Sequence, residues 1–162
     1  MASSGADFLI LEMMIDIEQM LITFEAAKTA GLPIWVGLTC EPNKNNTLCL
    51  EGGDLLVDAI DVLLQENIDA IHIMHTEVEH VLPSLKVLKN AWDGLIGVYP
   101  SSSTYANSVN LTSTEWAFEN VIVAKSFIKH AKKWHDFGVN FIGGCCGINV
   151  DHIKKLSKIL NI

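Results

Sequence analysis

Positive charge is scarce in this chain of 162 residues: Lys and Arg together number 11 against 19 Asp and Glu, a net charge of −8. No basic stripe runs through it, which excludes the clustered cations that nucleic-acid phosphates demand. The acidic balance bears on solubility rather than on fold. No apolar run approaches the roughly 20 residues a membrane helix needs. The opening "MASSGADF" has neither the basic nor the apolar region of a signal peptide. A cytoplasmic protein is therefore the expectation. Cysteine is sparse as well, at positions 40, 49, 145 and 146, a pattern of free thiols or ligands rather than of a disulfide framework. A bond between Cys145 and Cys146 is disfavoured, because neighbouring Cα atoms lie about 3.8 Å apart, short of the usual span of about 4.4–6.8 Å. Close repeats and low-complexity tracts are absent too.

What is present is globular: 49% of residues are apolar and 19% charged. Five short apolar runs, at 7–13, 34–39, 69–75, 95–100 and 139–144, are nearly continuous in apolar character, as strands buried on both faces are. Helical patterns alternate with them. Asp16 with Gln19, Thr76 with Glu79 and Thr112 with Glu115 fit capping boxes, and Asn149 or Asp151 fits the start of the last helix. The first helix is expected over 17–30, stopped by Gly31 and Pro33, and a second covers 55–67. The longest is expected over 115–138. Segments 40–53 and 101–113 are polar and read as loops. Such alternation implies a parallel α/β sheet with right-handed crossovers.

Glu12, His75 and the Cys145–Cys146 pair each fall at or just past the carboxyl end of a strand. Ligands bind at that edge in parallel α/β folds. The stretch "FIGGCCGINVDHI" at 141–153 has three readings. The adjacent thiols are small buried residues beside a turn, a strained redox pair, or a metal site. Along a regular strand they would point to opposite faces. Both reach one cation only if the backbone leaves the strand, which Gly143, Gly144 and Gly147 permit. A helix N-terminus follows, and its positive end is expected to favour thiolate. Zinc suits two thiolates with a third protein ligand and an open position.

The residues also resemble a family. "DFLILEMM", "LPIWVGLTC", "EHVLPSLKVLKNAWDGLIGVYPSS" and "FIGGCCGINVDHIKKL" are similar to stretches of the homocysteine S-methyltransferase domain. That family includes betaine–homocysteine methyltransferase and the homocysteine-binding module of cobalamin-dependent methionine synthase. The resemblance implies a (β/α)8 barrel, zinc, and methyl transfer to the homocysteine sulfur to form methionine. It makes Cys145 and Cys146 two of the zinc ligands and Glu12 the residue that holds the amino group of homocysteine.

The chain departs from the family in three places. Where relatives place an Asn-Cys pair with the third ligand, this sequence has Met74–His75. His75 either replaces that thiolate, since two Cys with one His is a known catalytic set, or is a polar strand-end residue beside a damaged site. His72 lies on the opposite strand face by alternation, Cys40 is a fallback ligand, and Cys49 is an incidental loop residue. His80, His130, His135 and His152 are expected to be solvated on helices. Ser101 stands where relatives have asparagine after Tyr-Pro; its hydroxyl can still hydrogen-bond, so a substrate contact there is expected to be weakened rather than lost. Trp35 and Tyr99 are core residues first, or faces for a cationic donor. Finally, a barrel typically takes about 250 residues. The expectation is thus a single domain over 1–162, the C-terminal part of a barrel with about five βα units and three N-terminal strands missing. The expected explanations are a fragment of a longer reading frame, completion by a second chain or by self-association, or decay to a non-catalytic remnant. The partners expected are homocysteine and a methyl donor. The alternative is a non-catalytic metal-binding or assembly half-barrel.

Overall fold

The computed structural model describes residues 2–102, 104–105, 118–119 and 121–160. A short 3-10 turn at Ala2–Ser4 leads into β1 (Leu9–Met14) and α1 (Ile17–Lys28). Then come β2 (Ile34–Pro42), β3 (Leu48–Leu50), α2 (Leu56–Leu63), β4 (Ala70–Glu77), α3 (Val78–Ala91) and β5 (Leu95–Ser101). A small ribbon of β6 (Thr104–Tyr105) and β7 (Phe118–Glu119) precedes α4 (Ala124–Asp136), β8 (Phe141–Ile142) and α5 (Val150–Leu160).

Among the described residues, β1, β2, β4, β5 and β8 pair in that order, all parallel, and β3 pairs antiparallel with β2. The order never reverses. Successive crossovers of one hand therefore place every connecting helix on the same side of the sheet. That is the arrangement of a barrel wall, not of a doubly wound sheet. Alternate residues divide accordingly. Leu11, Val36, Leu38, Ile71, Ile73, Ile96 and Val98 face the helices and join Met20, Phe24, Leu85, Phe127 and Trp134 in one core.

The other face carries Phe8, Trp35, His72, Tyr99 and Phe141. Phe8 stacks on Trp35 at 4.1 Å between ring centroids, Trp35 meets Phe141 at 4.7 Å, and His72 lies 5.2 Å from Trp35. In a closed barrel this face is the filled interior. Here Phe8 is 39%, Ile10 38% and Phe141 37% exposed. Trp35 thus belongs to the interior packing expected of it. His72 is buried in the aromatic layer, and a Cβ at the paired Gly97 would fall 2.0 Å from its Nδ1. Only glycine lets that ring lie flat on β5.

All five expected strands form. Asp16 caps α1 by accepting from the Gln19 N–H at 2.7 Å. Asn149 rather than Asp151 caps α5, accepting from the Asp151 N–H at 3.0 Å. Gly31 follows α1 with φ +64°. Four expectations need correction. Segment 40–53 is not all loop, because Cys40, Glu41 and Pro42 pair with Leu50, Cys49 and Leu48; Cys49 is consequently a buried strand residue. Thr76 does not cap α3. It remains in β4, donating to the Met74 carbonyl and accepting from the Cys40 N–H. The long helix begins at Ala124, since the β-branched run Val121–Ile122–Val123 disfavours helix and Phe118–Glu119 pairs as a strand. Thr112 and Glu115 lie outside the described residues. Among those described, no helix is long and apolar enough to cross a membrane.

Candidate metal centre

Strand alternation alone would aim His75 at the helices, with Ile71 and Ile73. Two irregularities at the carboxyl rim change this. The register of β4 against β5 shifts between Met74 and Glu77, and His75 adopts φ +49°. The register of β1 against β2 shifts between Leu11 and Met14, and Met13 adopts φ +56°. Bulges of this kind re-aim side chains at sheet rims. A left-handed backbone at a non-glycine residue costs roughly 1–2 kcal/mol and persists where surrounding structure imposes it. The two distorted rims touch: the Met13 N–H donates to Met74 Sδ at 3.0 Å.

The cysteine pair arrives from the other side. Past β8, the Gly143 and Cys145 N–H groups donate to the Val98 and Pro100 carbonyls, so the chain still runs beside β5. It then turns. The Ile148 N–H donates to the Cys145 carbonyl at 3.1 Å, with Gly147 at φ +77°. A Cβ at Gly144 would fall 2.1 Å from Ile148 Cγ2. The glycines therefore do what their clustering suggests: one supplies a left-handed turn, another a close approach.

The outcome is a triangle of donor atoms. His75 Nδ1 lies 3.4 Å from Cys145 Sγ and 3.6 Å from Cys146 Sγ, and the sulfurs are 3.8 Å apart. A tetrahedral ion with Zn–S near 2.3 Å and Zn–N near 2.05 Å requires S···S of about 3.8 Å and N···S of about 3.6 Å. The half-buried trio could hold a metal ion with a fourth position free. Neither cysteine forms a disulfide.

The electrostatics correct one expectation. Burial, then the neighbouring Cys146, push the Cys145 thiol up to about 11, and the Glu12 charge adds to this. The Asp151 and His152 N–H groups at the start of α5 point to Asn149 Oδ1. A cation would have to displace the thiol proton itself.

Glu12 is exposed on β1, within electrostatic reach of Cys145 and of Tyr99, whose phenol is pushed above its ordinary range by burial first. Ser101 is buried at the end of β5, and the next residue's N–H donates to the Cys146 carbonyl at 2.9 Å. Cys40 is no fallback ligand: it is buried against Leu38 and Leu50, and burial pushes its thiol up to about 12. His72 is outside the trio. His80 and His130 are half-buried and His135 is exposed, but His152 is 4% exposed, against expectation. Its Nε2 donates to the Ile122 carbonyl at 2.8 Å. No local signal marks that contact, because Ile122 lies 30 positions away in the chain.

The family model for homocysteine S-methyltransferase matches residues 1–160. The chain belongs to this family. It is 25% identical over 163 residues to homocysteine S-methyltransferase 1 of Zea mays, covering 99% of this chain and 48% of that protein. It is 25% identical over 170 residues to betaine–homocysteine S-methyltransferase 1 of Rattus norvegicus, covering 96% of this chain and 40% of that one. Among solved structures, the metallated form of the Escherichia coli homocysteine methyltransferase MmuM superposes with a TM-score of 0.74 at 19% identity, covering 97% of this chain and 46% of that chain. The fold is therefore a partial (β/α)8 barrel, and the chain spans about half the length of the relatives it matches.

Proposed function

We propose that this chain carries the metal-binding half of a zinc-dependent S-methyltransferase, which transfers a methyl group to the thiol of homocysteine and forms methionine. The observation that carries the reading is the triangle of His75 Nδ1, Cys145 Sγ and Cys146 Sγ, with edges of 3.4, 3.6 and 3.8 Å. Two soft sulfurs and an imidazole suit zinc over the hard-oxygen cations. His75 takes the place of a third thiolate, binding through Nδ1 with its proton on Nε2. Bound there, zinc supplies a Lewis acid that makes a coordinating thiol a thiolate at neutral pH.

The protein's own groups then hold the substrate. Glu12 offers a carboxylate for the ammonium of the amino acid, at the rim beside Cys145. The Ser101 hydroxyl supplies a polar contact at the end of β5. Half-burial of the thiols limits water around the reacting sulfur. Substrate sulfur displaces the methyl group's former partner, and the donor leaves with the bonding pair. A cytoplasmic setting keeps both cysteines reduced.

A second reading is favoured by the open inner face. Phe8, Ile10 and Phe141 are each more than a third exposed where a barrel is filled. On that reading the chain binds metal but is inactive until a further chain or another copy covers this face. One experiment separates the two. Zinc stoichiometry is measured for the chain and for Cys145→Ser, then methionine formation from homocysteine and S-methylmethionine. One zinc lost in the variant together with turnover supports the first reading. One zinc without turnover supports the second. No zinc in the unsubstituted chain overturns both.

A further inference from the structure

We propose that His152 is a positioning residue for the metal centre: it closes a ring of hydrogen bonds that holds the Cys145–Cys146 loop in its ligating shape. This rests on the metal reading above. The Cys146 carbonyl accepts from the Ser102 N–H at 2.9 Å, and the Ser102 carbonyl accepts from the Ile122 N–H at 3.3 Å. The Ile122 carbonyl accepts from His152 Nε2 at 2.8 Å. The other edge of the imidazole meets Asn149, with Nδ1 at 2.8 Å from Oδ1 and 3.2 Å from the Asn149 N–H. Asn149 is three residues beyond Cys146, so the circuit returns to its start through the main chain.

The ring joins three segments distant in sequence: the end of β5, the strand-like approach to α4, and the start of α5. The Cys146 carbonyl belongs to one ligating residue, and the other cysteine is its chain neighbour. Fixing it restrains a loop whose glycines otherwise allow many backbone states. His152 is the one side chain in the circuit that bridges two segments. Burial explains why a polar ring is retained there, since the Ile122 carbonyl would otherwise lose its partner. Phe127 packs edge-on at 5.6 Å and holds the imidazole plane. Partners bonded to a ligand itself typically change metal affinity by about 10–100-fold when removed; His152 acts two hydrogen bonds further out, so the lower end of that range is expected.

The test uses the full chain and Co2+, whose visible absorption reports its ligands. Affinity and amide exchange at Ser102 and Ile122 are measured for the unsubstituted chain, His152→Leu and His152→Gln. The expected result is that folded His152→Leu binds Co2+ at least about tenfold more weakly, with faster exchange at both amides. His152→Gln, whose amide still donates to Ile122, recovers most of both. Unchanged affinity and exchange in His152→Leu overturn the proposal. Should His152→Leu not fold, His152→Asn replaces it; its shorter amide cannot reach, so equality with Gln overturns the ring. If the unsubstituted chain binds no Co2+, the metal reading has failed, and exchange at Ser102 still judges the ring alone.

Discussion

His75 Nδ1 sits 3.4 Å from Cys145 Sγ although 70 positions separate the two residues in the chain. Two backbone departures make the approach possible. His75 leaves the β region for φ +49° at a register shift, and the loop after β8 turns back through Gly147 at φ +77°. The first is strained at a histidine, the second is open to glycine, and together they bring an imidazole and two sulfurs to one rim.

Strain at His75 predicts opposite effects of one substitution. In chelator, His75→Gly relieves about 1–2 kcal/mol of left-handed strain against a chain-entropy cost of about 0.5–1 kcal/mol. Urea unfolding is expected to show a net gain of about 0–1.5 kcal/mol. In zinc the order reverses, because the variant has lost a ligand, whereas His75→Cys keeps a third donor and stays zinc-stabilised. A destabilised glycine variant in chelator would count against strain.

Burial holds the His72 imidazole down at about 4, below its ordinary 6.5. The folded protein thus keeps this ring neutral while the unfolded chain takes up a proton below pH 6.5. The associated stability is fully present above 6.5 and declines as pH falls towards 4. His72→Phe is expected to flatten the slope of stability against pH across that window, read from urea midpoints at half-unit steps. An unchanged slope would remove His72 as its source.

Crowding at Gly97 predicts coupling. Gly97→Ala would place a methyl against the His72 ring and is expected to destabilise by about 1–3 kcal/mol. In a His72→Ala background the same change should cost much less. Equal costs in the two backgrounds would show that the ring is not what excludes a side chain there.

The α1 cap gives a local control. Asp16→Ala removes the acceptor of the Gln19 N–H and is expected to cost about 1 kcal/mol. Zinc affinity should not move, since Asp16 takes no part in the donor triangle. A change in affinity would mean that α1 and the rim are coupled.

Much of this protein is written locally. Near-continuous apolar runs mark the parallel strands, Asp16 marks a helix start, Gly31 marks a stop, and adjacent thiols among glycines mark a loop able to ligate. These signals are read within a few residues, because periodicity and capping involve near neighbours. The strand Leu48–Leu50 was not legible, since three residues carry no period and pair only because β2 lies alongside. Nor was the burial of His152, whose partner Ile122 is 30 positions earlier.

By itself the sequence carried the order of the five parallel strands, the family, and the candidate ligands Cys145, Cys146 and His75. Tertiary structure decided that His75 turns away from the helices to face two sulfurs, that Cys40 does not, and that the cysteine loop is tied at three points. The reason is physical: alternation sets a side chain's direction only while a strand stays regular, and a bulge forms where mismatched neighbours meet.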